Sequence, residues 1–238
     1  MNDSTQNLTL RETMSNWGKF IWHTVQNGLV DGILLPEKDP HASMIDWSIS
    51  ALGSVGVELS VRGAENILIP GPQIFMSNHQ SNFDIFVITA AIPVKFFWVY
   101  KHTLDSVPIM GSYLKSRGHI SINRRDRESA IESLLDAGAL IRQGKNITVF
   151  PEGTRSGTKE LLPFKKGVFH LAFEAGVPVV PITINHSHKL MKPGSLRLFR
   201  TRVEVVFHPP RTLHGMDREL DFELLQTLVR QDIESAII

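Results

Sequence analysis

The sequence predicts an α/β fold: a largely parallel or mixed central sheet of about seven strands covered by helices, preceded by an N-terminal amphipathic helical extension. Three observations carry this reading. From residue 57 onward, short runs rich in β-branched and aromatic residues alternate with stretches of helical periodicity. The helical stretches have stops at Pro93, Gly118, Gly144 and Gly176. Ahead of residue 57 the texture is different, with apolar residues at helical spacing and no strand-like run. The expected organisation is a helical segment over 1–56 and an α/β domain over 57–238.

In chain order, Leu10, Met14, Trp17, Ile21, Val25, Leu29 and Ile33 recur at steps of three or four and form one apolar stripe. Phe20 and Trp22 widen it, and Arg11 and Lys19 add positive charge. After a break at 36–40, a second short helix fits 44–55. Such a pair suits a membrane interface, with tryptophans at headgroup depth, or a core on which the helices pack. Strands fit 57–61, 73–77, 95–100, 119–123, 146–150, 179–185 and 202–207. Helices fit between them at 83–91, 108–116, 127–143 and 166–175, and a last one at 217–236 carries Leu220, Leu224, Leu228 and Ile233 along one side. The longest apolar stretch, 85–100, is interrupted by Pro93 and Lys95, so no segment reaches the ~20 residues needed to span a bilayer.

Composition removes several function classes. A net charge of +1 in 238 residues lacks the basic excess of a nucleic-acid-binding protein. The absence of cysteine removes disulfides, thiolate catalysis and cysteine-ligated metals together. His186-Ser187-His188 pairs two histidines without a carboxylate cluster, which is a poor metal site. No metal or other cofactor is expected.

The chemistry is concentrated in four segments. In Asn78-His79-Gln80-Ser81-Asn82-Phe83-Asp84, a strand stops at a polar turn and a helix begins. His79 would stand at the sheet rim and Asp84 in the first helical turn, where a carboxylate suits the helix dipole. Asp84 can fold back onto one imidazole nitrogen and leave the other as a general base. A loop histidine beside a helix N-terminus would have the same spacing. The second segment is the strand from Gly118 ending on Arg124, with Arg125 and Arg127 following; arginine recognises phosphate bidentately, and a solvated charge would also end a strand this way. The third, Phe150-Pro151-Glu152-Gly153-Thr154-Arg155-Ser156, is a turn in which Gly153 permits an unusual backbone angle and Arg155 and main-chain N–H groups can face an anion. The fourth, Val177-Pro178-Val179-Val180-Pro181-Ile182, is forced extended; Val177, Pro178 and Pro181 either line an acyl pocket or fill the core. Lys165 and Lys166, opening a helix, either recruit an anion or are a solvated pair.

These four segments, in this order and spacing, resemble the glycerolipid acyltransferase family that includes the 1-acyl-glycerol-3-phosphate acyltransferases. The resemblance spans roughly 57–207. It implies His79 and Asp84 as the catalytic pair and Arg124, Glu152, Gly153 and Arg155 as acceptor-phosphate residues, with Lys101 added after the strand ending at Tyr100. It implies acyl transfer from a thioester donor, acyl-CoA or acyl-carrier protein, to the free hydroxyl of a lysophospholipid, with backbone N–H groups near Gly153 for the oxyanion. Because both lipids live in a bilayer, it also implies a peripheral or monotopic protein on the cytoplasmic face, held through its N-terminal helices. Asn123, where many relatives have aspartate, and the unusual His119 are departures that bear on acceptor preference. Other acceptors (glycerol-3-phosphate, a lyso-aminolipid) fit the same pair, and so does a non-catalytic lipid-binding relative; a serine esterase lacks its G-x-S-x-G elbow here.

Overall fold

The computed structural model describes residues 6–34, 39–67, 70–123, 127–191 and 194–238. The strands are β1 (Gln6–Asn7), β2 (Val57–Arg62), β3 (Ile74–Ser77), β4 (Phe96–Lys101), β5 (Ile120–Ile122), β6 (Asn146–Val149), β7 (Val179–Asn185) and β8 (Phe199–Phe207). Runs such as Ile74-Phe75-Met76 and the whole of β7 are buried on both faces, as parallel strands sheathed by helices must be. The parallel core runs β7-β3-β6-β4-β5, and β8 closes it antiparallel to β7. On the far edge of β8 lie β2, parallel, and β1, antiparallel. The sheet therefore has eight strands; the addition is the two-residue β1, too short to show any periodicity.

Helices cover both faces. On one face, α2 (Pro40–Val55), α3 (Asp84–Ala91) and α4 (Met110–Ser116) bury Trp47, Phe86 and Tyr113 against β3, β7 and β8. On the other, α5 (Arg127–Arg142), α6 (Lys166–Ala175) and α7 (Phe222–Ser235) bury Ile141, Phe169 and Val229. α7 differs from the sequence expectation in both start and phase. Residues Asp217 and Asp221 form a local turn, Asp217 Oδ1 accepting from the Glu219 and Leu220 amides, so the helix begins five residues later. Its buried stripe is Phe222, Leu225, Val229 and Ile233, whereas Leu220 is 83% exposed.

The N-terminal segment packs into the first of these cores. α1 (Leu10–His23) starts with a reciprocal cap: Thr9 accepts from the Glu12 amide while Glu12 accepts from the Thr9 N–H. Trp17 and Phe20 turn inward onto Phe83 and Phe86, and the Trp17 indole N–H donates to the Leu196 carbonyl at 2.7 Å. Leu10, Met14, Ile21 and Trp22 face outward, each more than half exposed. The chain continues as a π-helical run, Thr24–Leu34. α2 takes Asp39 as its N-cap and ends at Gly56, whose φ of 81° closes the helix in the left-handed region before β2 begins. Among the described residues no helix is long and apolar enough to cross a membrane.

Candidate active site

Ligand sites in open parallel sheets lie at the carboxyl ends of the strands, and here strand register decides which residues meet there. β3 and β6 pair with Met76 opposite Val149. Three residues beyond each partner, His79 and Glu152 arrive side by side although 73 positions separate them in sequence. The Glu152 carboxylate accepts the His79 backbone N–H at 2.7 Å through Oε1 and the Leu162 N–H at 2.9 Å through Oε2. The His79 carbonyl in turn accepts the Ser156 N–H at 2.8 Å. Asn78 fixes the other side of the turn, its amide bonding both the N–H and the C=O of Ile184 on β7. The histidine peptide is thus strapped to both neighbouring strands.

His79 Nδ1 lies 2.9 Å from Asp84 Oδ2. That oxygen also accepts the Gln80 and Ser81 amides at 2.6 and 2.8 Å, and the carboxylate is fully buried at the start of α3. An acceptor-only carboxylate places the proton on Nδ1 and leaves Nε2 as the basic nitrogen, without a partner among the described residues. Phe150 stacks under the imidazole at 3.9 Å and 7° between planes, and Trp98 stacks on Phe150. Carboxylate and aromatic together set both the tilt and the rotation of the ring.

His79 forms part of the wall of a cavity of about 330 Å³. Most of its lining is apolar and comes from α2, α3, β4, the turn at 102–106 and α4: Trp47, Phe86, Trp98, Leu104, Met110 and Tyr113 among others. The polar part of the wall consists of Ser48, Asn82, Thr89, Lys101, Thr103, Thr154 and Arg155. No carboxylate lines it. A base in the wall of a largely apolar cavity that also contains two cations can serve a substrate with a long apolar chain and an anionic head.

The expected site residues separate into groups. Lys101, the exposed last residue of β4, and Arg155 and Gly153 lie on the cavity wall with His79. Gly153 has φ 74°, the left-handed turn expected, but its N–H closes on the Phe150 carbonyl at 3.1 Å. The amides of Thr154 and Arg155 hold no partner among the described residues. Glu152, 1% exposed, is absent from the wall, and both its oxygens are engaged by backbone amides, one of them that of His79. Burial, with the Asp84 charge nearby, pushes its carboxyl up to about 7. Arg124 lies outside the described residues.

Val177 and Pro181 are buried and Pro178 is half-buried, and none of the three is among the residues lining the cavity. Val177 packs with the α6 and α7 side chains, while the Pro178 and Pro181 carbonyls accept from Ile74 and His208. His119 is likewise internal: its Nδ1 accepts the Trp98 N–H at 3.1 Å, and burial lowers its pKa to about 4. Lys165 and Lys166 are exposed and away from the cavity, the latter over the Phe222 ring. The His188 Nδ1 lies 3.1 Å from the Gln80 side-chain oxygen. Sequence reading gave no role to Asn78, Phe150 or Gln80. For Phe150 the available signal was an aromatic at a strand end directly before the Pro-Glu-Gly turn.

A family model described as "Acyltransferase" matches residues 58–185, more than half of the chain, and contains both His79 and Arg155. The chain belongs to the acyltransferase family. This acyltransferase is 38% identical over 142 residues to the 1-acyl-sn-glycerol-3-phosphate acyltransferase of Saccharomyces cerevisiae, covering 58% of this chain and 46% of that one. It is 34% identical over 157 residues to the enzyme of that name from Limnanthes alba, covering 65% and 55%. To the alpha form from Bos taurus it is 33% identical over 162 residues, covering 68% and 56%. The matched region thus spans about half the length of these curated relatives. The crystal structure of the 1-acyl-sn-glycerophosphate acyltransferase from Thermotoga maritima superposes with a TM-score of 0.79, covering 95% of this chain and 96% of that one at 24% identity, a likeness of fold.

Proposed function

We propose that this acyltransferase moves a fatty acyl group from a thioester donor, acyl-CoA or acyl-carrier protein, to the sn-2 hydroxyl of 1-acyl-glycerol-3-phosphate, giving phosphatidic acid. The observation that carries the reading is the position of His79: Nδ1 is held by buried Asp84, and the histidine lines a largely apolar cavity whose wall also contains Lys101 and Arg155. The names of the relatives support the same substrate class.

The acceptor hydroxyl hydrogen-bonds to His79 Nε2. As its oxygen attacks the thioester carbonyl carbon, Nε2 takes the hydroxyl proton and Asp84 stabilises the imidazolium. The Thr154 and Arg155 amides stabilise the oxyanion of the tetrahedral intermediate. Collapse expels the thiolate, which recovers the proton from the imidazolium. The nucleophile belongs to the acceptor, so no acyl-enzyme forms. Arg155, Lys101 and, on the strength of the family resemblance, Arg124 hold the phosphate and thereby position the hydroxyl.

Replacing Arg155 with alanine is expected to raise the acceptor KM about 10- to 100-fold, the worth of one lost charged hydrogen bond, with a smaller change in kcat. The defect should vanish with a monoacylglycerol acceptor that lacks phosphate. An unchanged acceptor KM would remove Arg155 from the phosphate site. A panel of lysophosphatidic acid, glycerol-3-phosphate and lysophosphatidylcholine identifies the preferred acceptor directly.

Residues 1–56 act in this reading as the membrane-associating segment ahead of the α/β acyltransferase domain of 57–238. The outward row of Leu10, Met14, Ile21 and Trp22, with exposed Arg11 and Lys19, has the composition of an interfacial helix, which supports a peripheral attachment. α2 supplies Met44, Trp47 and Ser48 to the cavity, so the segment that meets the bilayer also walls the acyl slot. Deleting the segment would open the core at Trp17 and Phe20; a surface variant tests the attachment cleanly. Met14→Gln with Ile21→Gln should lower sedimentation with anionic vesicles at least about tenfold, since each large apolar side chain contributes roughly 1.5–3 kcal/mol when buried. Undiminished sedimentation would place the membrane surface elsewhere.

A further inference from the structure

The imidazole of His79 is held at an edge by one kind of group and on a face by another. Asp84 takes the Nδ1 edge. Phe150 covers a face, with ring centroids 3.9 Å apart and planes 7° from parallel. Neutral aromatic pairs prefer offset or edge-on arrangements, with centroids about 4.5–7 Å apart, because two stacked faces are both negative. A near-parallel stack at 3.9 Å therefore gives a neutral imidazole little electrostatic attraction. It suits a cation, which the negative face of a phenyl ring attracts.

The reaction makes such a cation. When Nε2 takes the acceptor proton, the positive charge develops on a side chain 14% exposed, stacked on a Phe150 that is 8% exposed. Little water reaches the pair to screen it. Lys101 and Arg155 line the same cavity as His79 and no carboxylate does, so on the cavity side the new charge meets charge of its own sign. Asp84 opposes this from the Nδ1 edge and Phe150 from the face. The phenyl ring is itself fixed. It directly follows β6, Trp98 of β4 stacks on it at 5.3 Å, and the Trp98 indole N–H donates to the Thr89 hydroxyl of α3 at 3.4 Å. Trp98 and Thr89 are both buried. An attraction that grows as charge develops lowers the barrier and raises kcat, whereas one present equally in the bound substrate would not.

We propose that the π face of Phe150 stabilises the His79 imidazolium formed during acyl transfer, a contribution separate from orienting the ring. The inference rests on the acyltransferase mechanism above. Phe150 acts through His79, as a positioning residue that sets the energy of the protonated ring as well as its plane.

The test changes the charge of the phenyl face and keeps its shape. The full chain is made with phenylalanine bearing one, two or three ring fluorines at position 150, each of which draws charge from the face. Phe150→Leu, which removes the ring, is the companion variant. Melting curves establish first that each variant folds; the fluorinated series carries the test if the leucine variant does not. Two quantities are read: the proton affinity of the His79 imidazole, by NMR titration without substrate, and the kcat for lysophosphatidic acid with acyl-CoA. Proton affinity should fall stepwise with fluorine number, reaching about 5- to 30-fold below the parent in the trifluorinated and leucine variants, the worth of one partly desolvated cation–π contact. The kcat should fall in the same order, with acceptor KM and melting temperature close to those of the parent. A purely steric role predicts a loss in Phe150→Leu and none along the fluorinated series. The proposal is overturned if proton affinity and kcat both ignore fluorine number, or if KM moves and kcat does not. Fluorine-dependent proton affinity in a parent that transfers no acyl group would refute the acyltransferase reading alone. Normal transfer with fluorine-independent proton affinity and kcat would refute the role of Phe150 alone.

Discussion

His79→Ala is expected to lower kcat by roughly 10²–10⁴-fold, the range associated with losing a positioned general base, while the protein stays folded. The expectation of a retained fold comes from the way the loop is held. Asn78 remains bonded to Ile184, the residue-79 amide remains bonded to Glu152, and Asp84 keeps the Gln80 and Ser81 amides. Only the imidazole, its bond to Asp84 and its stack on Phe150 are lost. Circular dichroism and a melting curve should therefore stay close to those of the parent. The donor KM should move little, because the apolar cavity draws its walls mainly from α2, α3, β4 and α4. Near-normal turnover in the folded variant would remove His79 from the chemistry.

What was legible in the sequence is what depends on local spacing. His79 and Asp84 lie five residues apart across a single strand-to-helix turn, and that turn alone brings Nδ1 to the carboxylate. The alternation of strands and helices similarly yields the parallel sheet, because each β-run and each helical run is a local pattern. The hold of Glu152 on the histidine peptide was not legible for the opposite reason. Its partner is the His79 peptide, chosen by the β3–β6 register, and register between distant strands leaves no trace in either segment. Helix phase failed where apolar residues occupy both sides. In α1, period alone cannot tell that Trp17 and Phe20 face Phe83 while Leu10, Met14 and Ile21 face out. In α7, leucines at 220 and 224 suggested a stripe, yet Phe222 and Leu225 carry the packing because a local aspartate turn takes the first residues out of the helix.

Glu152→Met is expected to destabilise the protein by roughly 2–6 kcal/mol, from about 1–3 kcal/mol for each of two buried amides left without an acceptor. Methionine fills the volume of glutamate closely, so water gains little room to replace the carboxylate at the His79 and Leu162 N–H groups. At roughly 2–4 °C per kcal/mol for a chain of this size, the melting temperature should fall by about 4 °C at least. The pH dependence separates the charge of Glu152 from its hydrogen bonds. Burial raises its folded-state pKa from 4.5 to about 7. Below 4.5 both states hold the proton; between 4.5 and 7 the unfolded chain has released it while the folded protein still binds it. Stability from this group is therefore full at the acid end and declines as pH rises through that window, levelling off above 7. Buried histidines such as His119, whose pKa is lowered to about 4, slope the other way, because the unfolded chain takes up their protons first as pH falls. Subtracting the Glu152→Met profile from that of the parent cancels the histidines and isolates the carboxylate. The difference in stability should shrink steadily from pH 4.5 to 7. A difference that stays constant across that range would mean that Glu152 is ionised throughout, and that its two amide bonds outweigh its burial.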